Sequence, residues 1–426
     1  MDTIFAVSSG APPAAIAILR VSGPAARDAV RRLAGTLPAA RQAKLRALRD
    51  DGGHLIDRAL ILVFPGPDSA TGEDLVELHV HGGRAVVRAV EAALAATPGL
   101  RRAEPGEFTR RALANGRIDL TEAEGLGDLL AAETEGQRRA ALAIAEGAVR
   151  RLAEGWTDRL VALAAQVEAQ LDFAEEDEVE FSAPAAFVRE ALMLSEEIAA
   201  VLATPPVERL RDGLRVVIAG PPNSGKSTLL NALAGRDAAI VSPISGTTRD
   251  RIEAPVIRDG IAYVLTDTAG LLDRTDDPIE RIGIARAEEA MRDADLILWL
   301  GDEQPPSSSM IHIHARADIL ARETRPATAA VAISAVTGAG LGDLWTLLHR
   351  RAAALLPLED AVAVNRRQRD LLADCAANVR AAAEQGDLIL FAEDLRLAMR
   401  ALDQLVGRSD VEAMLDALFT RFCLGK

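Results

Sequence analysis

Apolar positions along this chain change their period, and each change marks a change of architecture. In the first 118 residues the short apolar runs Ile4–Val7, Ala15–Leu19, Ala59–Phe64 and Leu75–Val80 predict strands. Ala25–Leu37 carries helical spacing, and Gly82-Gly83 opens a second helix to about Ala96. From Thr121 to about Leu202 the period is helical. Trp156, Leu160, Leu163, Val167 and Leu171 recur at three and four residues on one helix face, and no proline interrupts Ala112 to Ser182. The acidic tract Glu175–Glu178 closes that block. Residues 213–348 return to strands alternating with helices, the pattern of a mostly parallel sheet. Beyond Arg350 the spacing is helical again, with Phe391, Leu395, Ala398, Leu402 and Leu405 in a second stripe.

Two helical blocks flanking one α/β unit predict an insertion, in which the halves of a helical domain pack together. The alternative is two separate bundles. The expected fold class is multidomain, α/β and all-α. An N-terminal α+β domain spans 1–118, a discontinuous helical domain 119–212 and 349–426, and an inserted α/β domain 213–348. A length of 426 residues suits several domains, and aromatics at 3% leave the cores to aliphatic side chains. The formal charge of −15 argues against a uniform coat for nucleic acid but leaves room for local basic patches. Two cysteines, Cys375 and Cys423, make no disulfide framework, which predicts a reducing, cytoplasmic setting. No secretory leader pattern and no uncharged run of membrane-spanning length is seen, so no membrane association is expected.

The chemistry centres on Gly220-Pro-Pro-Asn-Ser-Gly-Lys226-Ser-Thr228. It fits G-x-x-x-x-G-K-[ST], follows the apolar run Leu214–Ala219 and precedes the helix-like Leu229–Leu233. In that context the amides of Asn223, Ser224, Gly225, Lys226, Ser227 and Thr228 wrap phosphates, Lys226 reaches the β and γ phosphates, and Ser227 holds Mg²⁺. Asp267-Thr268-Ala269-Gly270 ends the apolar strand Ile261–Leu265. An Asp there holds Mg²⁺ through water and the glycine amide senses the γ-phosphate. The form resembles the third motif of GTPases. Gly246-Thr-Thr-Arg-Asp250 lies between, and Thr248 resembles the switch threonine that completes the Mg²⁺ shell.

GTPases read guanine with Asn-Lys-x-Asp. The matching segment here is Ala315-Arg316-Ala317-Asp318, which keeps the Asp and loses the Asn that supports the loop; Arg316 stands for the Lys. Ser334-Ala335 resembles the fifth motif, whose amide bonds guanine O6. No glutamine follows Gly270, and the acidic tract Asp273–Glu280 offers another water-orienting group. Asn223 can give an oxygen to a monovalent cation near the β and γ oxygens.

End to end, the chain resembles the bacterial MnmE/TrmE family of tRNA-modification GTPases. The resemblance is carried by Thr71-Gly-Glu-Asp-Leu-Val-Glu-Leu-His79-Val-His-Gly-Gly83, Pro105-Gly-Glu-Phe-Thr-Arg-Arg-Ala112, Asn115-Gly-Arg-Ile-Asp-Leu120, Ile279–Ile284 and the terminal Phe422-Cys-Leu-Gly-Lys426. It implies an N-terminal domain that dimerises and binds 5-formyl- or 5,10-methylene-tetrahydrofolate through Arg20, Glu77, Arg117 and Lys426. It also implies an inserted Ras-like GTPase domain. K⁺ would be held by Asn223 with Ser242, Ile244 and the Thr247 region, and the attacking water oriented by Glu280. The implied reaction is aminomethyl or carboxymethylaminomethyl modification at C5 of the wobble uridine in tRNA. This chain would supply GTP hydrolysis and the one-carbon unit as a homodimer, and an MnmG/GidA-type flavoprotein would supply FAD and NADH chemistry.

Other residues carry two readings each. Cys423 is either a nucleophile or packing beside Phe422 and Leu424. The pairs His79/His81 and His312/His314 are either metal ligands or packed, hydrogen-bonded side chains. Arg350-Arg351 and Arg366-Arg367 are either tRNA-backbone contacts or solvated surface. At the level of the whole chain, a ribosome-assembly or translation GTPase and a non-enzymatic nucleotide-sensing scaffold are the competing functions. The first leaves the terminal signatures unexplained; the second leaves Lys226, Asp267 and Glu280 unexplained.

Overall fold

The computed structural model describes residues 2–177, 183–237, 253–268, 288–322, 324–358, 360–385 and 387–409, with Leu415, Leu418, Phe419, Phe422 and Gly425. The chain forms two compact units. One gathers Met1–Gly127, Ile144–Ala165 and Arg396–Lys426; the other gathers Asp128–Ala143 and Gln166–Leu395.

The first unit is built on β1 (Thr3–Val7), β2 (Ile16–Ser22), α1 (Ala26–Ala34), β3 (Lys44–Arg49), β4 (Leu55–Phe64), β5 (Leu75–His81), α2 (Arg84–Ala95), β6 (Leu100–Arg102) and α3 (Glu107–Ala114). The strands form one sheet in the order β3-β4-β5-β2-β1-β6, antiparallel except for the β1–β6 pair. Strand alternation gives it two unlike faces. Ala17, Leu19, Val21, Ile61, Val63, Val76, Leu78 and Val80 share a core with Val30 and Leu33 of α1 and Val87, Val90 and Leu94 of α2. On the other face Ile16, Leu45 and Leu60 stay 60%, 58% and 37% exposed. The edge strand β3 carries no apolar run (Lys-Leu-Arg-Ala-Leu-Arg) and was not predicted; its pairing with β4 makes it a strand.

The Pro105–Ala112 signature has a structural purpose. Arg111 is buried and donates to the Asp2 carbonyl at 2.8 Å, the Asp2 carboxylate at 2.7 Å, Glu107 at 2.9 Å and Glu73 at 3.2 Å. One guanidinium thus ties β1, the turn before β5 and α3. The chain end joins the same sheet. Gly425 sits at φ +91°, where an added Cβ would lie 2.1 Å from the Val7 carbonyl, and the Ser8 hydroxyl donates to the Gly425 carbonyl at 2.7 Å. Phe419 packs on Gly106, and its ring lies 5.7 Å from Phe422.

Along the chain, after α3, come α4 (Leu120–Ala131), α5 (Glu135–Ala145) and α6 (Ala148–Asp177). Asp119 caps α4 reciprocally: its carboxylate accepts the Glu122 amide at 2.8 Å while Glu122 accepts the Asp119 amide at 2.7 Å. The predicted α6 stripe is buried at Trp156, Leu160, Leu163 and Val167.

The second unit holds α7 (Ala185–Ala203), α8 (Glu208–Arg211), β7 (Leu214–Ala219), α9 (Lys226–Asp237), β8 (Glu253–Arg258), β9 (Ile261–Asp267), β10 (Leu296–Trp299), β11 (Ile311–His314), β12 (Val331–Ala332), α10 (Leu341–Ala353), α11 (Arg366–Gln385) and the start of α12 (Leu388–Val406). Its sheet runs β12-β11-β10-β7-β9-β8, parallel except for the antiparallel edge strand β8. Before and after this sheet, α7 and α11 pack together. The Ser195 hydroxyl donates to the Ala376 carbonyl at 3.1 Å, and Arg369 caps the end of α7 through the Leu202 and Thr204 carbonyls at 2.7 and 2.9 Å. The α/β unit is therefore an insertion between halves of one helical layer, not a spacer between separate bundles. Among the described residues no helix is long and apolar enough to cross a membrane.

Arg111→Ala is expected to cost about 3–5 kcal/mol in denaturant unfolding, because it takes the guanidinium from the largely buried Glu73 carboxylate and leaves Glu107 with Arg101 alone. Acid should act on the same network. Burial raises the Glu107 carboxyl, but bonds from Arg101, the Glu104 amide and Arg111 outweigh it and hold it below its ordinary 4.5. A depressed carboxyl stabilises above the unfolded value, so this contribution is full at neutral pH and is lost as pH falls below about 4.5. Unfolding followed between pH 7 and 3 should show that loss in the parent and a shallower one in the variant.

Candidate functional site

The phosphate loop leaves the carboxyl end of β7, a strand flanked by β9 and β10 and buried at Val216 to Ala219. Gly220, Asn223 and Gly225 have φ of +149°, +59° and +99°. Left-handed positions spaced between ordinary ones turn successive amides toward one centre and make an anion nest. Asparagine tolerates that conformation better than most side chains. At Gly220 a Cβ would stand 3.1 Å from the Ser224 hydroxyl.

Lys226 opens α9 with its side chain only 7% exposed. Its ammonium donates to the Gly220 carbonyl at 3.0 Å and the Pro221 carbonyl at 2.9 Å, so it folds back over the loop. The Ser224 hydroxyl is buried without a hydrogen-bond partner. A nest of amides, a buried ammonium and an orphaned hydroxyl together fit an anionic ligand. Beside them the Ser227 hydroxyl donates to the Asp267 carboxylate at close range. Pairing of Ile218 with Asp267 in the β7–β9 register brings that carboxylate to the loop. Two hard oxygens at a phosphate loop suit Mg²⁺. Thr268 is fixed by its amide and hydroxyl on the Ile218 carbonyl, at 3.2 and 2.8 Å. Asn223 and Thr228 are exposed on the loop and the first turn of α9.

The segment matched to the base motif follows β11 directly. Ala315 is buried in the sheet's core, Arg316 takes φ +57°, and Asp318 is exposed in the turn closed by Ile319 N–H on the Arg316 carbonyl at 3.2 Å. The Arg316 stem lies on the phosphate loop, with Cγ 3.6 Å from where a Cβ on Gly225 would be. The Ala317 amide donates to the Ile333 carbonyl at 3.0 Å, which joins this loop to Ser334-Ala335. The Ser334 amide and hydroxyl are used inside their own turn, by the Ala339 carbonyl at 2.9 Å and the Thr337 amide at 3.1 Å. Arg322 was missed in the sequence, yet its Nε donates to the Ala315 carbonyl at 3.0 Å; seven positions of separation give no local signal for it.

Both histidine pairs are hydrogen-bonded. His312 sits between the Gly301 carbonyl at 2.9 Å and the Thr328 hydroxyl at 3.0 Å, and His314 meets the Arg322 carbonyl at 2.7 Å. His79 pairs with Glu77 at 3.1 Å and His81 with Asp57 at 2.7 Å. Among the described residues no three His, Cys, Asp or Glu side chains form a metal cluster. Cys375 is buried, which pushes its thiol up to about 12. Arg350 and Arg351 are exposed in the last turn of α10, where cations complement the helix dipole.

Arg20 and Glu77 face each other across β2 and β5, with Nε donating to the carboxylate at 2.9 Å. Burial raises the Glu77 carboxyl, and the bonds from His79 and Arg20 bring it below its ordinary range. Arg117 pairs with Asp68 at 3.6 Å and rests against Gly72. Ser242, Ile244, Thr247, Thr248, Ala269, Gly270, Glu280, Cys423 and Lys426 lie outside the described residues.

Lys226→Ala should leave the fold intact, since water replaces the ammonium as donor to the Gly220 and Pro221 carbonyls. It should weaken GTP by at least about a hundredfold in titration calorimetry, the equivalent of two charge-assisted bonds.

Comparison with known proteins covers the whole chain. The family described as GTP-binding protein TrmE N-terminus matches residues 3–117, and the MnmE helical domain matches residues 120–423. The tRNA modification GTPase MnmE of Erythrobacter litoralis is 55% identical over 426 residues, covering 100% of both chains. That of Rhizorhabdus wittichii is 56% identical over 429 residues, covering 100% of this chain and 97% of its own. Among solved structures, the G domain of the T. maritima FeoB iron transporter aligns at 25% identity over 33% of this chain and 98% of that one, with a TM-score of 0.25.

Proposed function

The chain belongs to the MnmE/TrmE family of tRNA-modification GTPases, and we propose that it couples GTP hydrolysis to modification at C5 of the wobble uridine of tRNA. The observation that carries this reading is the cradle at Gly220–Ser227, already curled around a buried ammonium with Ser227 against Asp267. In this reading Lys226 exchanges the Gly220 and Pro221 carbonyls for β and γ phosphate oxygens, a trade of neutral acceptors for charged ones. Ser227, Asp267 and Thr248 would hold Mg²⁺, and Asn223 with Ser242, Ile244 and Thr247 would hold K⁺; when bound, the two cations would supply positive charge to offset that of the triphosphate. Glu280 orients the attacking water, Ala269 and Gly270 present amides to the γ-phosphate, Asp318 accepts from guanine N1 and N2, and the loop at Ser334-Ala335 meets O6.

The same reading assigns a tetrahydrofolate site to Arg20, Glu77, Arg117 and Lys426. Glu77 supports it: an ionised, half-buried carboxylate suits the guanidine-like edge of a pterin. Gly425 against β1 supports it as well, because it brings the residue before Lys426 to the strand next to Arg20. The pairings Leu60 with His79 and Leu62 with Glu77 set the Arg20–Glu77 pair on the same sheet face as the exposed Leu45, Leu60 and Ile16. An uncovered apolar face of that kind favours a homodimer interface beside the folate. The domains would then be 1–118 for folate and dimerisation, 119–212 with 349–426 for the helical layer carrying Cys423, and 213–348 for GTP. The setting would be cytoplasmic, with tRNA and an MnmG/GidA-type FAD protein as partners.

Hydrolysis of GTP measured in KCl and in NaCl tests the nucleotide half. A potassium rate higher by about a hundredfold is expected, the scale of one well-placed stabilising group. Equal rates in the two salts would sink the potassium assignment. For the folate half, Glu77→Gln should weaken 5-formyl-tetrahydrofolate by about tenfold in equilibrium dialysis, as one charge-assisted contact is lost. Unaltered affinity would remove Glu77 from the site.

A further inference from the structure

A loop that reads a base has to hold a carboxylate still against a flat edge. Here the first position of that loop is Ala315, which has no polar side chain to brace it. The structure closes the loop another way. His314, the last residue of β11, meets the Arg322 carbonyl through Nε2 at 2.7 Å. Arg322 in turn donates Nε to the Ala315 carbonyl at 3.0 Å. The two bonds cross the neck of loop 315–322 in opposite directions. The far end of the same guanidinium forms a close ion pair with Asp302, which follows β10 at the sheet's carboxyl end. The Arg322 side chain is only 14% exposed, whereas Asp302 is 66% exposed. The cation is therefore held inside the structure and its counter-ion reaches in from the surface.

This geometry needs an arginine. A guanidinium is a rigid fork that serves a carbonyl with Nε and a carboxylate with its terminal nitrogens at once; an ammonium offers one point charge and no Nε. Both acceptors lie on loops leaving neighbouring parallel strands, β10 and β11, where nucleotide ligands of such sheets bind. A loop already closed at its neck loses less freedom on binding than an open one.

We propose that Arg322 is the positioning residue of base recognition in this chain: clasped to Ala315 and Asp302, it holds loop 315–322 so that Asp318 meets the guanine edge. The inference rests on Asp318 reading guanine N1 and N2, as assigned above. Arg322 itself touches no nucleotide in this scheme. Its loss would let Asp318 wander while the phosphate cradle stays as it is.

The test compares GTP with inosine triphosphate, which is guanosine triphosphate without the 2-amino group, as substrates of the full chain. Asp318 gains its second contact only from GTP. Arg322→Ala is expected to lower the GTP-to-ITP ratio of kcat/KM by about tenfold, mainly through KM for GTP, on the scale of one lost polar contact. Arg322→Lys should fall between, because it keeps the pairing with Asp302 and loses the bond to Ala315. Asp302→Asn, at an exposed position that cannot leave a cavity, should lower the ratio by about threefold. Equal losses for both nucleotides, with the ratio unmoved in Arg322→Lys and Asp302→Asn, would overturn the proposal even if Arg322→Ala fails to fold. Asp318→Asn in the otherwise unaltered chain separates the two claims: if it keeps the parental GTP-to-ITP ratio, the guanine assignment itself fails. If it loses that ratio while the Arg322 and Asp302 variants keep it, only the clasp is wrong.

Discussion

A buried ammonium held over a ring of backbone is the constraint around which the phosphate loop of the second unit is organised. Burying a cation is unfavourable unless acceptors surround it. Lys226 finds them in the Gly220 and Pro221 carbonyls, while the positive φ values of Gly220, Asn223 and Gly225 turn loop amides toward one centre. Those turns can form because β7 stops at Ala219 in the middle of a parallel sheet, with Asp267 delivered by the next strand and Arg316 by the loop after β11. The sheet, the loop and the helix start therefore act as one preorganised object. Such a cradle is worth more to a ligand than the same groups on a mobile chain.

The first unit solves a different problem with the same economy of parts. A sheet with helices on one face leaves its other face apolar and open, and the Arg20–Glu77 pair is set into that open face. The Arg111 network locks the α3 signature to both the chain start and the turn before β5. Gly425 is locked to β1 from the other terminus. Asp2 and Gly425 thus converge on one sheet, so residues more than four hundred positions apart become neighbours.

What could be read in advance divides along clear physical lines. Apolar period marked β7 without error of boundary, and it marked the buried stripes at Trp156–Val167 and Phe391–Leu405, because local spacing and burial obey the same geometry. The edge strand β3 was invisible, since a largely exposed strand with cations at Lys44, Arg46 and Arg49 has no apolar run to announce it. The histidine pairs showed the limit of residue type as evidence: spacing alone left their partners open, and the fold supplied them as carbonyl, hydroxyl and carboxylate groups.

The amino-acid order by itself determined the phosphate loop, its strand and helix flanks and the family signatures, because those depend on residues adjacent in the chain. The order of the blocks already predicted that helices on either side of the inserted unit pack together, as α7 and α11 do; tertiary structure alone decided that Arg316 lies over Gly225 and that Arg322 braces Ala315. Each of these is a meeting of side chains or backbones whose separation along the chain carries no periodic signal. Only the closing of the sheet, which sets which loops emerge side by side, brings them within hydrogen-bond reach.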